Sequence, residues 1–294
     1  MRHFHVVATL PSELRPLAKA FPRELFGVLL RSVGETLLEL GHSRFKGQLG
    51  ATTILHTWTR ELDFHPHVHA LVTAGGLSPD GKQWRSSGRT YLFPIAVMGE
   101  LVRGKVLDAL RRLHADGAFG AWKGFARLAC SMQRKRWLVY AKRPFGAADT
   151  VLKYLGRYTH RVGIANSRLT DVTDDHVTFR TKNGKTKTLA PVEFLRRFVA
   201  HVLPRRFVKI RHFGLYAGAS ADTRHRAAVE VLAARSNPPA PPLDPAATPS
   251  DWRDELSALT GRDVELCPLC GAPVVSVPLP TPRSCGPPPK RLAA

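Results

Sequence analysis

The sequence predicts an α+β domain in which an antiparallel sheet is flanked by helices. Alternating apolar segments at residues 3–10, 50–58 and 64–73 are typical of strands, and apolar residues recur at helical spacing between about residues 22 and 40. The resulting order of strand, helix, strand and strand is the opening of a split β-α-β arrangement. A chain of 294 residues is long enough for one such domain with an appendage.

The first strand, residues 3–10, places His3 and His5 on one face because successive side chains of a strand alternate. The helix that follows is predicted from about residue 22 to residue 40, where Gly41 is expected to stop it. A stripe of apolar residues at helical spacing predicts that this helix is amphipathic. The stripe consists of Phe26, Leu29, Leu30, Val33, Leu37 and Leu40.

The later elements follow from the same kinds of signal. A hairpin is expected over residues 168–190, turning at Asn183-Gly184, because this dipeptide favours a tight turn. Helical periodicity returns through Leu101, Val106, Leu110 and Leu113. The other predicted elements are a strand at 137–140, a helix from Asp149 as its cap to about residue 160, and a helix over 191–202 with proline in its first turn.

The composition points to a polyanionic partner. The chain has 44 Lys and Arg against 23 Asp and Glu, a formal net charge of +21 and a pI near 10.7. Such a balance is far from that of an enzyme acting on small molecules and favours nucleic acid. Four cysteines are too few for a disulfide framework, and neither a signal peptide nor an apolar stretch of membrane-spanning length is visible, so we expect a cytoplasmic protein.

The composition changes after about residue 235. Residues 236–250 are rich in Pro and Ala and are typical of a stiff, extended linker. The sequence therefore predicts a catalytic domain at 1–218, a helical extension with the Pro-rich linker at 219–250, and a short C-terminal tail at 251–294. The tail holds one CxxC, Cys267 and Cys270, with Cys285 as a further cysteine, which is an incomplete zinc knuckle.

Three histidines alternate within the apolar segment FHPHVHALV at residues 64–72. His65, His67 and His69 project from the same face of a strand, where imidazoles form a ready site for a metal or a phosphate. Partly exposed histidines that bond to one another are the simpler interpretation, but packing gives no reason to repeat a costly polar group along one strand. Spacing leaves the third ligand open among His65, His5, Glu61 and Asp63.

Two tyrosines lie four residues apart in VLKYLGRYTHR, so Tyr154 and Tyr158 are neighbours on one face of a helix. Lys153 and Arg157 lie to one side of them. Paired phenols beside phosphate-binding cations are what a phosphodiester-cleaving nucleophile needs, whereas the simpler interpretation is that both rings complete the core. A phenol has a pKa near 10, so a cation held by the strand histidines would help by polarising the phosphate.

Three stretches of the sequence carry a resemblance to a known family: RHFHVVATLP, FHPHVHALVTAGGLSPDGKQW and YAKRPFGAADTVLKYLGRYTHRVGIANSRL. Across about residues 2–216 the chain resembles the two-tyrosine HUH transposases of rolling-circle insertion sequences. The resemblance implies a ferredoxin-like HUH endonuclease domain that holds Mg²⁺ or Mn²⁺ through His67 and His69. It also implies that Tyr154 and Tyr158 are nucleophiles on single-stranded DNA at transposon ends, leaving a 5′-phosphotyrosine and a free 3′-hydroxyl.

The resemblance sets further expectations. We expect a bacterial, nucleoid-associated enzyme whose DNA contacts are made by Lys142, Arg143, Lys153, Arg157 and Arg161. Family members commonly carry a Cys-rich zinc segment ahead of the first strand, and this chain starts almost at that strand, so a truncated copy is one interpretation. Zinc at the C-terminal CxxC is the other metal expected.

Two other functions fit parts of the sequence. HPHVHALV also resembles the last motif of histidine-triad nucleotide hydrolases, in which His67 would attack an α-phosphate. That interpretation conflicts with Pro66, with the length of the chain and with its charge. A non-catalytic DNA- or RNA-binding remnant of a transposase is the second alternative, and it predicts binding that survives chelation and yields no covalent product.

Overall fold

The computed structural model describes residues 1–87, 92–120, 122–145 and 163–236, together with residues 266, 272 and 273. The chain divides into two compact units, Met1–Pro238 and Pro239–Ala294. In the second unit, Leu266 and Pro273 form an antiparallel bridge. The division at 1–218, 219–250 and 251–294 stays a prediction.

The strands of the first unit form three antiparallel sheets. The largest has the order β10-β2-β3-β1-β6, and the others are the pair β4-β5 and the meander β7-β8-β9. The strands are β1 (His3–Thr9), β2 (Gly50–Trp58), β3 (Phe64–Thr73), β4 (Gly75–Leu77), β5 (Trp84–Ser86), β6 (Val139–Phe145), β7 (Leu169–Val172), β8 (Val177–Arg180), β9 (Thr186–Leu189) and β10 (Ile210–Gly214).

Helices connect and flank these strands. Those longer than one turn are α1 (Arg15–Ala20), α2 (Pro22–Phe45), α3 (Ile95–Ala115), α4 (Phe125–Arg134), α5 (Pro191–Val199) and α6 (Arg226–Ser236). Short helical turns lie at Ser12–Leu14, Asn166–Arg168, Lys182–Gly184, Gly218–Ser220 and Ala221–His225. Among the described residues, no helix is both long and apolar enough to cross a bilayer.

The sheet order confirms the predicted α+β class. Helix α2 connects β1 to β2, β2 and β3 form a hairpin, and α3 and α4 lie between that hairpin and β6 along the chain. Because β3 pairs with both β1 and β2, it splits the β1-α2-β2 unit, which is the ferredoxin-like arrangement. Strand β10 extends this sheet at the free edge of β2.

The two faces of the large sheet differ in character. One face packs on α2 and α3 through alternate strand residues such as Phe4, Val6 and Val68, which are at most 1% exposed. The opposite face carries the residues between them, so His5 and His69 lie there. A sheet with one face in the core leaves its second face for chemistry.

Helix α2 corrects one sequence expectation, because it does not stop at Gly41. It continues to Phe45 and ends at Lys46, whose φ of 46° is left-handed. A Cβ at Gly41 would lie 2.4 Å from Leu49 Cδ2. The glycine is therefore a point of close packing within the helix and not a terminator.

Other boundaries also differ from the expectations. Strand β6 begins at Val139 instead of residue 137, and the predicted hairpin is a three-stranded meander that does turn at Asn183 and Gly184, both with positive φ. Helix α5 ends at Val199. Helix α4 and strand β10 were not predicted, and the helix predicted from residue 149 to about 160 lies outside the described residues.

Candidate metal centre

Three histidines from two neighbouring strands converge on the second face of the sheet. His56 of β2 lies directly opposite His67 of β3, and His69 follows two residues later on the same face. One ligand nitrogen from each of the three lies within 4.8 Å of the other two. His56 and His69 are buried and His67 is half-buried, so the group is held by its surroundings and still reaches the surface.

His67 is oriented by its own strand. Its Nδ1 lies 2.6 Å from the backbone carbonyl oxygen of His65, and only a protonated Nδ1 can donate to that acceptor. The hydrogen on Nδ1 leaves the Nε2 lone pair for a cation. Burial lowers the pKa of His67 to about 4, so the ring is neutral at pH 7 and does not repel a cation.

His69 is oriented by the first strand. Its Nδ1 lies 2.8 Å from Nε2 of His5, and the two rings stack with centroids 5.1 Å apart at 14°. Two imidazole nitrogens at this distance share one hydrogen. When His69 supplies that hydrogen, its own Nε2 keeps the lone pair that a metal requires.

His56 is held by an aromatic neighbour. Its ring stacks on the indole of Trp58, with centroids 4.9 Å apart and planes at 11°. Within the cluster, the His56 centroid is 4.5 Å from that of His69 and 5.4 Å from that of His67. Stacking on Trp58 therefore helps to hold the His56 ring close to the rings of His67 and His69.

The structure does not bring His65 into this group. His65 shares the strand face with His67, but its Nδ1 accepts a hydrogen bond of 2.7 Å from Nη2 of Arg15. Burial and the Arg15 charge both lower the pKa of His65. The positive charge of the Arg15 guanidinium would repel a metal cation at the Nδ1 atom of His65.

The carboxylates considered as third ligands have other partners. Glu61 forms an ion pair of 3.1 Å with Lys187, and Asp63 pairs with Arg197. Both lie in the turn between β2 and β3, where Leu62 has a φ of 61°. Through these ion pairs the turn contacts the meander and α5. Its carboxylates are not part of the histidine group.

Sequence reasoning missed His56. The residue stands alone in GATTILHTW, so no motif marks it. Its partner is set by the register of the hairpin, which places it opposite His67. A plain hairpin with its turn at residues 59–63 pairs Trp58 with Phe64 and would place His56 opposite Pro66. Only the register shift between His56 and Trp58 brings His56 opposite His67, and no sequence signal marks that shift.

A second polar pair lies farther along the same face. Tyr216 Oη and Nε2 of His3 form a hydrogen bond of 2.6 Å, and a Cβ at Gly50 would lie 3.1 Å from the Tyr216 ring. Burial lowers the pKa of His3 to about 4 and raises the pKa of Tyr216 above its ordinary value. A phenol that ionises less readily is a poor nucleophile, so Tyr216 has a packing role.

The remaining predicted site residues are described only in part. Lys142 and Arg143 lie in β6, with Lys142 opposite His5, and their side chains fall outside the described residues. The other predicted site residues outside the described part of the chain are Lys153, Tyr154, Arg157, Tyr158, Arg161, Cys267 and Cys270.

Comparisons with known proteins identify a family for this chain. Residues 50–224, more than half of the chain and including the whole histidine group, match the family described as "Putative transposase" (Y2_Tnp). The chain is 35% identical over 286 residues to "Putative transposase y4qJ" of Sinorhizobium fredii (strain NBRC 101917 / NGR234), covering 92% of this chain and 71% of that relative.

A second relative names an insertion sequence. The chain is 28% identical over 290 residues to the "Transposase for insertion sequence element IS801" of Pseudomonas savastanoi pv. phaseolicola, covering 92% of this chain and 66% of that relative. No solved structure matches the chain. Family match and relatives together establish that this chain belongs to the Y2-type transposases of insertion sequences.

Proposed function

We propose that the chain nicks and rejoins single-stranded DNA at transposon ends in a rolling-circle pathway, through a 5′-phosphotyrosine. The observation that carries the proposal is the convergence of His56, His67 and His69 on one face of the sheet. Three buried or half-buried imidazoles with converging nitrogens have no packing value, whereas they suit a divalent cation. Bound there, such a cation would polarise the scissile phosphate and stabilise the leaving oxygen.

The donor set bears on which cation is bound. Imidazole nitrogens suit transition metals, while Mg²⁺ prefers oxygen ligands and keeps several waters. For His67, the Nδ1 bond to the His65 carbonyl oxygen leaves the Nε2 lone pair for such a metal. We therefore infer that Mn²⁺ binds more tightly than Mg²⁺ at these three residues.

The proposed nucleophiles are Tyr154 and Tyr158. In the step, a phenol oxygen forms a bond to phosphorus while the bond from phosphorus to the 3′-oxygen breaks, and the proton of the phenol ends on that oxygen. The resulting phosphotyrosine keeps the energy of the phosphodiester, so a later attack by a 3′-hydroxyl can rejoin DNA. The assignment rests on the family resemblance and on the spacing of the two tyrosines.

The covalent product gives the direct test. The full chain is incubated with end-labelled single-stranded DNA of transposon ends and Mn²⁺, and denaturing electrophoresis is used to find a protein–DNA adduct. We expect an adduct that is lost with a chelator and is absent with blunt duplex DNA of the same sequence. DNA binding without any adduct would contradict the proposal and favour a non-catalytic remnant.

Binding of DNA should depend strongly on salt. The chain carries a net charge of +21, and the cations proposed to follow the phosphates are Lys142, Arg143, Lys153, Arg157 and Arg161. Each phosphate neutralised releases counterions, so log affinity for single strands is expected to fall by about 0.7 per log unit of salt for each contact. Fluorescence anisotropy at salt concentrations from about 50 to about 300 mM measures the slope of log affinity against log salt concentration. A flat dependence would exclude a phosphate-tracking surface.

The contact between His5 and His69 yields a prediction about metal affinity. His5→Leu removes the hydrogen-bond partner of His69 Nδ1, and loss of such a supporting bond typically weakens metal binding about 10–100-fold. Glutamine supplies an amide oxygen at a similar place, so His5→Gln should retain most of the affinity. Calorimetric titration with Mn²⁺ measures both variants, with Val7→Ala on the same strand face as the control. Equal affinity of the leucine and glutamine variants would contradict this role.

A further inference from the structure

The edge strand beside the metal centre presents an unusual exposed surface. Leu138 and Tyr140 are 70% and 56% exposed, although they are large apolar or aromatic side chains at the border of the main sheet. Strand β6 is the terminal strand of that sheet. Exposed apolar side chains on an edge strand are a liability that proteins usually avoid, so their retention calls for a partner.

The register of the sheet places these side chains next to the histidine group. Tyr140 lies opposite Val7 of β1, and Val7 lies opposite His69, so all three point to the same face. Two strand spacings, roughly 10 Å, separate the Cα atoms of Tyr140 and His69. The carbonyl oxygen of Leu138 accepts a hydrogen bond from the Thr9 amide, and Thr9 lies between Leu138 and His67 across the sheet.

The surface between Tyr140 and the cluster is open. On β1, His3 and His5 are buried, whereas Val7 and Thr9 are half-buried. The face is therefore more buried at the end of β1 that contains His3 and more exposed toward Val7 and Thr9, which lie beside Tyr140 and Leu138. A ligand that reaches the metal centre from this more exposed end passes over Val7.

The charges around this surface select the partner. Arg134 and Arg136 are exposed, and within the described part of the chain neither forms an ion pair. Lys135, between them, is neutralised by Glu13. Arg136, Leu138 and Tyr140 alternate outward along the extended chain, and the backbone of Lys142 continues this series. A phenol and an aliphatic side chain between cations match a single nucleic acid strand, whose bases stack while its phosphates bind the cations.

We propose that Tyr140, with Leu138, is a stacking platform for an unpaired base of the DNA strand that enters the metal centre. The inference rests on the proposed function, because it assigns a binding place to the single-stranded substrate of that reaction. A duplex buries its bases in the stack and offers no free base face to this surface. The platform thus selects unpaired DNA by geometry, independently of sequence, since every base has an aromatic face.

The test removes the Tyr140 ring from the protein and, separately, the bases from the DNA. Binding of the full chain to a labelled mixed-sequence oligonucleotide is measured by anisotropy without metal, so that no cleavage occurs. Tyr140→Ala is expected to bind about 5–150-fold more weakly, whereas Tyr140→Phe keeps the ring and the affinity. On an oligonucleotide of the same length with abasic sites, which keeps the phosphates, wild type and Tyr140→Ala should bind equally.

The outcomes separate this inference from the proposed function. An unchanged affinity of Tyr140→Ala, or a loss that persists on the abasic strand, overturns the platform even if wild type forms the covalent adduct. Thermal unfolding of each variant checks that the exposed substitution leaves the fold intact. A shift in sedimentation of Tyr140→Ala without a change in DNA affinity would identify the edge strand as a protein interface and would also overturn the inference. If wild type forms no adduct but Tyr140→Ala and Tyr140→Phe change DNA affinity as expected, the result would count against the nicking activity and not against the platform.

Discussion

Alanine at His56, His67 or His69 is expected to abolish metal-dependent nicking while DNA binding stays near that of wild type. Each ring supplies one of three nitrogens that converge within 4.8 Å, and water replaces a lost imidazole only in part. Stabilisation by a metal ion contributes several kcal/mol to the transition state, so the loss should be on the order of 100-fold or more. Adduct yield, Mn²⁺ affinity by calorimetry and DNA affinity by anisotropy measure the three effects separately.

His65→Ala is the matched control for this prediction. His65 lies on the same strand face as His67, and its backbone carbonyl, which orients His67, is retained in the alanine variant. We expect Mn²⁺ affinity to remain near that of wild type in His65→Ala and to collapse in His56→Ala. The reverse result would show that the third ligand is His65, and equal loss of metal binding, DNA binding and thermal stability in His56→Ala would indicate a folding role.

Phenylalanine at both Tyr154 and Tyr158 is expected to eliminate the covalent adduct completely. The substitution keeps each ring and removes only the oxygen that attacks phosphorus, so chemistry is lost without a change in side-chain packing. Two nucleophiles four residues apart can hold two DNA ends at one centre. Each single variant should therefore bind DNA and fail to complete transposition, and one of them is expected to retain a single nicking event.

Three measurements distinguish the tyrosine variants. Denaturing electrophoresis reports the adduct, anisotropy reports DNA binding, and a two-plasmid transposition assay reports the whole reaction. An undiminished adduct in the double variant would place the nucleophile elsewhere in the chain. Tyr140 and Tyr216 are the described tyrosines near the sheet face that such a result would bring forward, although Tyr216 is half-buried and its hydroxyl is bonded to His3.

The sequence predicts the periodic parts of this protein well and the non-periodic parts poorly. Alternation is a local property, so His67 and His69 could be assigned to one face of β3 from the spacing alone. His56 could not, because its place beside them depends on the register between two strands. The same limit applies to His5, whose contact with His69 joins residues 64 positions apart.

Local signals also fail where packing overrides them. Gly41 has the character of a helix terminator, yet α2 continues past it, and the position requires glycine because Leu49 occupies the space that a side chain would need. Glu61 and Asp63 have the chemistry of metal ligands and are close to the histidines along the chain. They bind Lys187 and Arg197 instead, and only the placement of the meander and of α5 reveals those partners.

The distribution of the histidines between strands links metal binding to folding. All three candidate ligands lie on the β2–β3 hairpin, a unit that can form early because its strands are joined by a short turn. The partner that orients His69 lies on β1, which pairs with β3 across a much longer loop. The hairpin alone can thus collect the ligands, whereas their fixed orientation requires the completed sheet. Any cation that prefers the oriented ligands therefore adds that preference, as free energy, to the pairing of the first strand, so loss of that strand is expected to weaken metal binding.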